Sequence, residues 1–321
     1  MKWRVLVTAP YLQPVLDKYR HVFEKEGIEL VVPRVRERME EEELLPLVKD
    51  VHGAICGDDR FTAKVLHEAK NLKVIAKWGT GIDSIDKDAA ESLGITVFNT
   101  ANAFTDPVAD TVLGYVLMFA RQLHVLDRDV KSHHWTKRSS VSLKELALGV
   151  IGVGNIGRAV IKRAAAFGMK LFGNDIVEIP KTLVSGFNLS MVSKEKLLRD
   201  SDFVSINCTL NPTSFHLISD REFALMKSTA FLINTARGPI IDEEALVRAL
   251  RSRKIGGAAL DVFEKEPLPE ESPLREFPNV ILAPHNANSS PSAWEFVHEN
   301  TVRMLISGLH NHHSLTGGKE E

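Results

Sequence analysis

The sequence predicts an α/β protein built on parallel sheets, and three observations predict it. Short runs rich in Val, Ile and Leu alternate with stretches of helical period along almost the whole chain, and strands that alternate with helices pair in parallel. One alternation is punctuated by Gly152-Val153-Gly154-Asn155-Ile156-Gly157, a G-x-G-x-x-G run between the apolar stretch 146–151 and a helix-like segment, 158–167. A length of 321 residues exceeds what one hydrophobic core usually serves, so two domains are expected.

Residues 5–7 read as a short buried strand, 14–26 as a helix stopped by Gly27, and 29–32 as the next strand. The acidic run 40–43 suits the first turn of a helix, where the dipole favours carboxylates and no metal is needed to explain them. Strands follow at 51–55, 74–76 and 95–98, with a helix at 62–69. The pattern loosens over 99–107, with a hinge expected near Asn102, and 108–123 is strongly apolar and helical. Residues 127–143 are polar and aperiodic, a surface or subunit-contact loop. The adjacent His133 and His134 point apart on any regular element, which argues against a metal site. Beyond the glycine turn come a strand at 170–174, a connecting stretch to Ser193, a helix at 194–198 and a strand at 203–208. A helix at 220–226, a strand at 230–234, a helix at 242–250 capped by Asp242 and a strand at 258–260 follow. Residues 264–278 form a Pro- and Glu-rich loop, 280–283 the last strand and 292–309 a C-terminal helix. The tail 310–321, with His310, His312 and His313, is expected to fray.

Composition narrows the function classes. Hydrophobic residues make up 44% and charged residues 26%, and a net charge of −2 gives no electrostatic ground for a nucleic-acid or membrane partner. Two cysteines, Cys56 and Cys208, are too few for a disulfide framework and suit a reducing cytoplasm. The apolar start, Val5-Leu6-Val7, is too short for a signal peptide, and no run approaches the roughly 18 apolar residues of a membrane span. A soluble, unexported protein with small-molecule or protein partners is expected.

The glycine turn has a specific physical reading. Gly152 permits the tight turn, Gly154 has no Cβ to obstruct a pyrophosphate, and Gly157 lets the helix approach the strand, leaving phosphates at the helix N-terminus. Asp175, at the end of the next predicted strand, would accept the ribose hydroxyls of adenosine and repel a 2′-phosphate. Ile176 and Val177 follow it with no cation to neutralise one, so the cofactor read from these residues is NAD.

Three later stretches carry reactive side chains just beyond predicted strands. They are Asn234-Thr235-Ala236-Arg237-Gly238, Asp261-Val262-Phe263-Glu264-Lys265-Glu266-Pro267 and Ala283-Pro284-His285-Asn286. Ligands of open α/β sheets bind beyond the carboxyl ends of strands, so Arg237, Glu266 and His285 are candidates to meet near a nicotinamide. Arg237 would hold an anionic substrate bidentately, His285 would exchange a proton with a hydroxyl or carbonyl, and Glu266 would orient the imidazole. Singly, each would pass for a surface ion pair, a solvated acid or a core histidine.

The series G-V-G-N-I-G, Asp175, N-T-A-R-G-P, L-D-V-F-E-K-E-P and A-P-H resembles the D-isomer-specific 2-hydroxyacid dehydrogenase family, in the family's order and over nearly the whole chain. The resemblance implies an NAD-dependent D-2-hydroxyacid dehydrogenase, with Arg237 binding substrate, Glu266 partnering the histidine and His285 as acid/base, in an interdomain cleft. Lys77-Trp78-Gly79-Thr80-Gly81-Ile82-Asp83 resembles the family's substrate-domain loop. That makes Lys77, Trp78, Gly79, Thr80 and Gly81 substrate-binding candidates beside Arg237, with backbone N–H groups around Gly79 and Gly81 forming a nest for the carboxylate. Cofactor contacts implied in the same way, besides the three glycines, are Thr80, Asn155, Ile156, Asp175, Cys208, Thr235, Ala236, Arg237, Asp261 and His285. Segment 103–113, with Val108-Ala109-Asp110, resembles the crossover between domains.

The family further implies two flavodoxin- or Rossmann-like domains, the substrate domain being discontinuous (1–101 and 288–321) around an NAD-binding domain (102–287), and a homodimer formed near 112–123 and the following loop. Two features depart from the common pattern: Asn288 stands where a small residue is frequent, and Lys77 with Trp78 makes the substrate loop bulky and cationic. A phosphorylated substrate, as in phosphoglycerate dehydrogenases, would want cations such as Arg60 and Lys77, which Asp58 and Asp59 oppose. The alternatives are that activity, a formate or phosphite oxidation on the same scaffold, or an NAD-sensing corepressor-like binding protein. Such corepressors usually carry long disordered extensions, and at most a dozen tail residues are expected here, which gives that alternative little support.

Overall fold

A computed structural model describes residues 3–316. The chain divides into two compact units, one of Met1–Ala103 with Ser290–Glu321, the other of Phe104–Ser289. In the first, β1 (Trp3–Val7), a 3-10 turn (Gln13–Lys18), α1 (Arg20–Lys25), β2 (Ile28–Val31), α2 (Glu41–Leu44), β3 (Gly53–Cys56), α3 (Ala63–Glu68), β4 (Val74–Lys77), α4 (Lys87–Ser92) and β5 (Thr96–Asn99) follow one another. The five strands pair in parallel in the order β2-β1-β3-β4-β5, a doubly wound arrangement whose strand order reverses between β1 and β3.

Local chemistry explains most of these starts. Thr62 accepts from Val65 N and caps α3, while Glu40 and Glu43 cap α2 reciprocally. The stretch predicted as one helix, 14–26, is instead two pieces. Gln13 Nε2 pins its start to the carbonyls of Val7 and Pro33, and Tyr19 turns inward at the break. Helix α4 is an addition to the sequence reading; Asp86 caps it through Ala89 N at 2.9 Å, and Gly94 at φ +68° ends it.

The second unit contains α5 (Thr105–Arg121), α6 (Leu123–Lys131), β6 (Ala147–Ile151), α7 (Asn155–Ala166), β7 (Lys170–Asn174), α8 (Lys181–Gly186), β8 (Leu189–Met191), α9 (Lys194–Asp200), β9 (Phe203–Ile206), α10 (Asp220–Leu225), β10 (Phe231–Asn234), α11 (Glu243–Arg251), β11 (Gly257–Leu260) and β12 (Val280–Leu282). Its seven parallel strands run β12-β11-β10-β9-β6-β7-β8, with the reversal between β6 and β9. Strands β6, β9 and β11 are buried throughout, which is why they read as unbroken apolar runs. One face packs on Val112, Val116 and Phe119 of α5 and Val160 and Ile161 of α7, the other on Leu197, Phe223 and Leu246.

Two stretches expected to be irregular are ordered. Within 127–143 the chain is helical as far as Lys131, with Lys131 paired to Asp127 at 2.7 Å; α6 begins at Leu123, so two of its apolar positions, Leu123 and Leu126, lie ahead of the polar stretch. The connection before Ser193 holds α8 and β8, both too short to show a period.

The last helix, α12 (Pro291–Thr316), returns to the first unit and packs on β3, β4 and β5. Gly53 and Gly308 make that approach possible, since a Cβ on either would come within 2.9 Å of a facing side chain. The frayed tail expected from residue 310 is therefore helical to Thr316, because His310 meets Glu26 at 2.8 Å and His312 meets Thr96 at 3.2 Å. Residues 317–321, and the side chain of His313, lie outside the described residues. Among the described residues no helix is long and apolar enough to cross a membrane.

Candidate active site

The glycine turn leaves β6 at the strand-order reversal, the place where doubly wound sheets open a ligand crevice. Gly152 has φ +87°, and a Cβ on it would meet Cys208 N at 2.5 Å. A Cβ on Gly157 would lie 2.1 Å from the Gly152 carbonyl oxygen, so helix and turn touch backbone to backbone. Gly154 differs: nothing lies within 4 Å of its missing Cβ. It also gives α7 no capping side chain, so the helix N-terminus over that open space suits an anion.

Asp175 is tied back onto this turn. Its Oδ2 accepts from Val153 N at 2.6 Å and its Oδ1 from Val177 N at 3.1 Å, which holds the carboxylate at the end of β7 while each oxygen keeps a further lone pair. Asn155 and Ile156 form the first turn of α7. The half-buried Cys208 has its thiol pushed up to about 11, chiefly by burial, and is no nucleophile. Thr235, at the end of β10, is buried with its Oγ1 lacking a partner among the described residues, an orphaned hydroxyl that a ligand would satisfy. Open space over Gly154, an uncapped helix end and this hydroxyl fit a dinucleotide.

The next three strand ends carry the reactive side chains. Asn234 frames the turn after β10, accepting from Ala236 N at 3.0 Å and donating to the Arg237 carbonyl at 2.9 Å. Half-buried Arg237 donates from Nη1 to the Ala236 carbonyl at 2.9 Å. Gly238 then runs so close to the segment after β11 that a Cβ would sit 1.9 Å from the Phe263 carbonyl carbon. On that segment, Glu266 accepts from Phe263 N through Oε1 at 2.9 Å and meets His285 Nδ1 through Oε2, also at 2.9 Å.

His285 follows β12 in the left-handed region, φ +52°, which is uncommon for a residue with a Cβ although histidine enters it more readily than most. Asp261 holds the loop there. Its carbonyl accepts from His285 N, and its two carboxylate oxygens accept from Asn286 N and Ala287 N, all at 2.8 Å. Burial pushes the Asp261 carboxyl up, against the two amides and the nearby His285, which pull it down. Asp261, expected from resemblance as a cofactor contact, thus gives one bond from each oxygen to the His285 loop and keeps a further lone pair on each. The structure brings Glu266 and His285 into contact and sets Arg237 two strands from the His285 loop.

The first unit carries the other candidates. Lys77 is buried and its Nζ lies 3.0 Å from Asp58 Oδ1 and 3.1 Å from the Trp78 carbonyl. Trp78 is also buried, and Gly79 has φ +125°. The Gly79 carbonyl accepts from Thr100 N at 2.9 Å, Thr80 Oγ1 donates to the Thr100 carbonyl at 3.0 Å, and Asn99 Nδ2 donates to the Thr80 carbonyl. Asp59, read earlier as a charge opposing anions, is wholly buried and accepts from Thr8 Oγ1, Met39 N and Gly57 N. It ties loops together, and burial pushes its carboxyl up. The supporting residues Asn234, Gly238, Thr100 and Asn99 carried no signal beyond their place in or beside a motif.

A family model described as "D-isomer specific 2-hydroxyacid dehydrogenase, NAD binding domain" matches residues 113–287. A glyoxylate reductase of Thermofilum pendens is 39% identical over 275 residues, 84% of this chain and 81% of that protein. A D-3-phosphoglycerate dehydrogenase of Methanocaldococcus jannaschii is 37% identical over 294 residues, 90% of this chain but 54% of that protein, so the chain spans about half of that relative's length. Among solved structures, a D-lactate dehydrogenase from Aquifex aeolicus complexed with NAD and lactic acid superposes with a TM-score of 0.86 at 26% identity, covering 96% of each chain.

Proposed function

This chain belongs to the D-isomer-specific 2-hydroxyacid dehydrogenase family and is an NAD-dependent oxidoreductase, and from that premise we propose that it reduces a small, unphosphorylated 2-keto acid such as glyoxylate. What carries this reading is the His285–Glu266 pair, an imidazole at 2.9 Å from a carboxylate on a backbone-locked loop. With Nδ1 engaged by Glu266, proton exchange falls to Nε2, which gives its proton to the carbonyl oxygen as C2 is reduced and takes it back in the reverse direction. The bound dinucleotide supplies or accepts the hydride. In the second unit Arg237 is suited to take a substrate carboxylate in a forked contact, and in the first unit the amides of Gly79, Thr80 and Gly81 are suited to cradle one. Asp175 accepts the adenosine ribose hydroxyls.

The absence of a phosphate from the proposed substrate is supported by Lys77. Its ammonium is matched by Asp58 and by the Trp78 carbonyl, and Arg60 lies 3.8 Å from Glu40, so neither cation is left uncompensated for a phosphate. The reading extends to a homodimer. Helix α6 buries nothing, Leu123 and Val130 stand exposed, Trp135 is 89% exposed, and a cavity of about 510 Å³ lined by Phe119, Val125, Val141 and Phe231 lies in the same unit. A second copy offering its indole is the occupant of matching chemistry. Unpaired Cys56 and Cys208 suit the cytoplasm.

The test is NADH oxidation with glyoxylate, hydroxypyruvate, phosphohydroxypyruvate, formate and phosphite, the last two assayed as NAD reduction. Glyoxylate or hydroxypyruvate should turn over, and His285→Ala should lower kcat at least about a hundredfold with NADH affinity kept. A preference for phosphohydroxypyruvate, or for formate or phosphite, would displace the reading.

A further inference from the structure

Directly before the Gly79-Thr80-Gly81 cradle stands Trp78, whose indole is tied to the far end of the chain. Its Nε1 donates to His298 Nδ1 on α12 at 2.9 Å, and both side chains are buried. An indole nitrogen can only donate, so His298 Nδ1 must present its lone pair and the ring must be neutral. Burial pulls His298 down and holds it in that form; of the charges nearby, Glu295 opposes this and Lys18 reinforces it. Tyr11 and Trp294 pack on the indole at centroid distances of 5.3 and 5.9 Å, leaving it one orientation.

A second tie runs from the same helix. Asn300 Nδ2 donates to Thr100 Oγ1 at 2.9 Å, and Thr100 in turn bonds Gly79 and Thr80 through its backbone. The Gly79–Thr80 part of the cradle therefore receives two braces, from side chains two residues apart on α12. Such braces matter here because Gly79, at φ +125°, sits where backbone conformation is weakly determined by sequence alone.

We propose that His298 is a positioning residue for the carboxylate cradle, acting through the Trp78 indole and seconded by Asn300, so that α12 sets the affinity for the keto acid. The proposal rests on the reading of residues 79–81 as a carboxylate site. It differs from a packing role in requiring an acceptor atom at the Nδ1 position, not merely volume.

The test compares wild type, His298→Leu, His298→Asn, Trp78→Phe and the His298→Leu/Trp78→Phe double variant. Two readouts are used: glyoxylate kinetics at saturating NADH, and calorimetric binding of oxamate, an unreactive 2-keto acid isostere, to the NADH-loaded protein. Asn can place Oδ1 where Nδ1 lies; Leu cannot accept. His298→Leu and Trp78→Phe should raise KM and weaken oxamate about tenfold, with kcat and NADH affinity within about twofold in His298→Leu. His298→Asn should recover both to within about threefold, and the double variant should be no worse than either single one. Trp78→Phe removes the same bond from the other side should His298→Leu fail to fold. Oxamate affinity unchanged in His298→Leu, or as weak in His298→Asn as in His298→Leu, overturns the proposal, as does a wild type that binds no oxamate. A wild type that binds oxamate but reduces no 2-keto acid removes the assigned reaction and leaves the binding series to decide the brace.

Discussion

Asp261 shows how one buried carboxylate can govern a reactive side chain it does not touch. Its two oxygens accept from the amides of Asn286 and Ala287, and its carbonyl holds His285 N, so the imidazole is aimed by main chain before Glu266 orients the ring. Asp261→Asn puts an NH2 group against one of those amides, and donor facing donor costs about 1–3 kcal/mol. We expect kcat to fall at least about tenfold with KM for NADH nearly unchanged, read by steady-state kinetics; equal kcat would mean the His285 loop holds itself. The sequence made Arg237, Glu266 and His285 visible because each follows a strand in a recognisable string. It could not reveal that Asp261 faces the amides beyond His285, since which atoms a buried carboxylate meets depends on loops brought together only by folding.

At the scale of elements, what was legible was whatever carried a period or a cap. Helix α11 is an instance: Asp242 was read as its N-cap and accepts from Ala245 N at 2.9 Å. Asp242→Ala should cost about 1 kcal/mol in urea unfolding while activity per folded molecule stays unchanged, a separation that marks a purely structural residue. Helices α5 and α7 and strand β6 announced themselves through continuous apolar patterning over a buried face. Helix α6 did so only in part, because its apolar Leu123 and Leu126 precede the polar stretch that reads as a loop, and the end of α12 is held by Glu26 and Thr96, partners no local window contains.

For the molecule as a whole, the proposed homodimer would set the exposed indole of Trp135 against a partner copy's cavity near α5 and α6. Trp135→Asp should weaken self-association by about a hundredfold or more, measured by sedimentation equilibrium, because a buried aromatic anchor is exchanged for a desolvated charge. A variant that sediments as wild type would move the interface elsewhere. The chain's routing carries a different consequence. The unit Phe104–Ser289 is continuous, whereas the one that begins the chain takes α12 from beyond Ser289. Domains usually mature in the order in which the ribosome delivers them; here the later-made NAD-binding unit is complete first. Strands β3, β4 and β5 must wait with the face that α12 covers still bare, so a nascent chain carries an apolar sheet that only the later synthesis of α12, or a chaperone in its place, can shield.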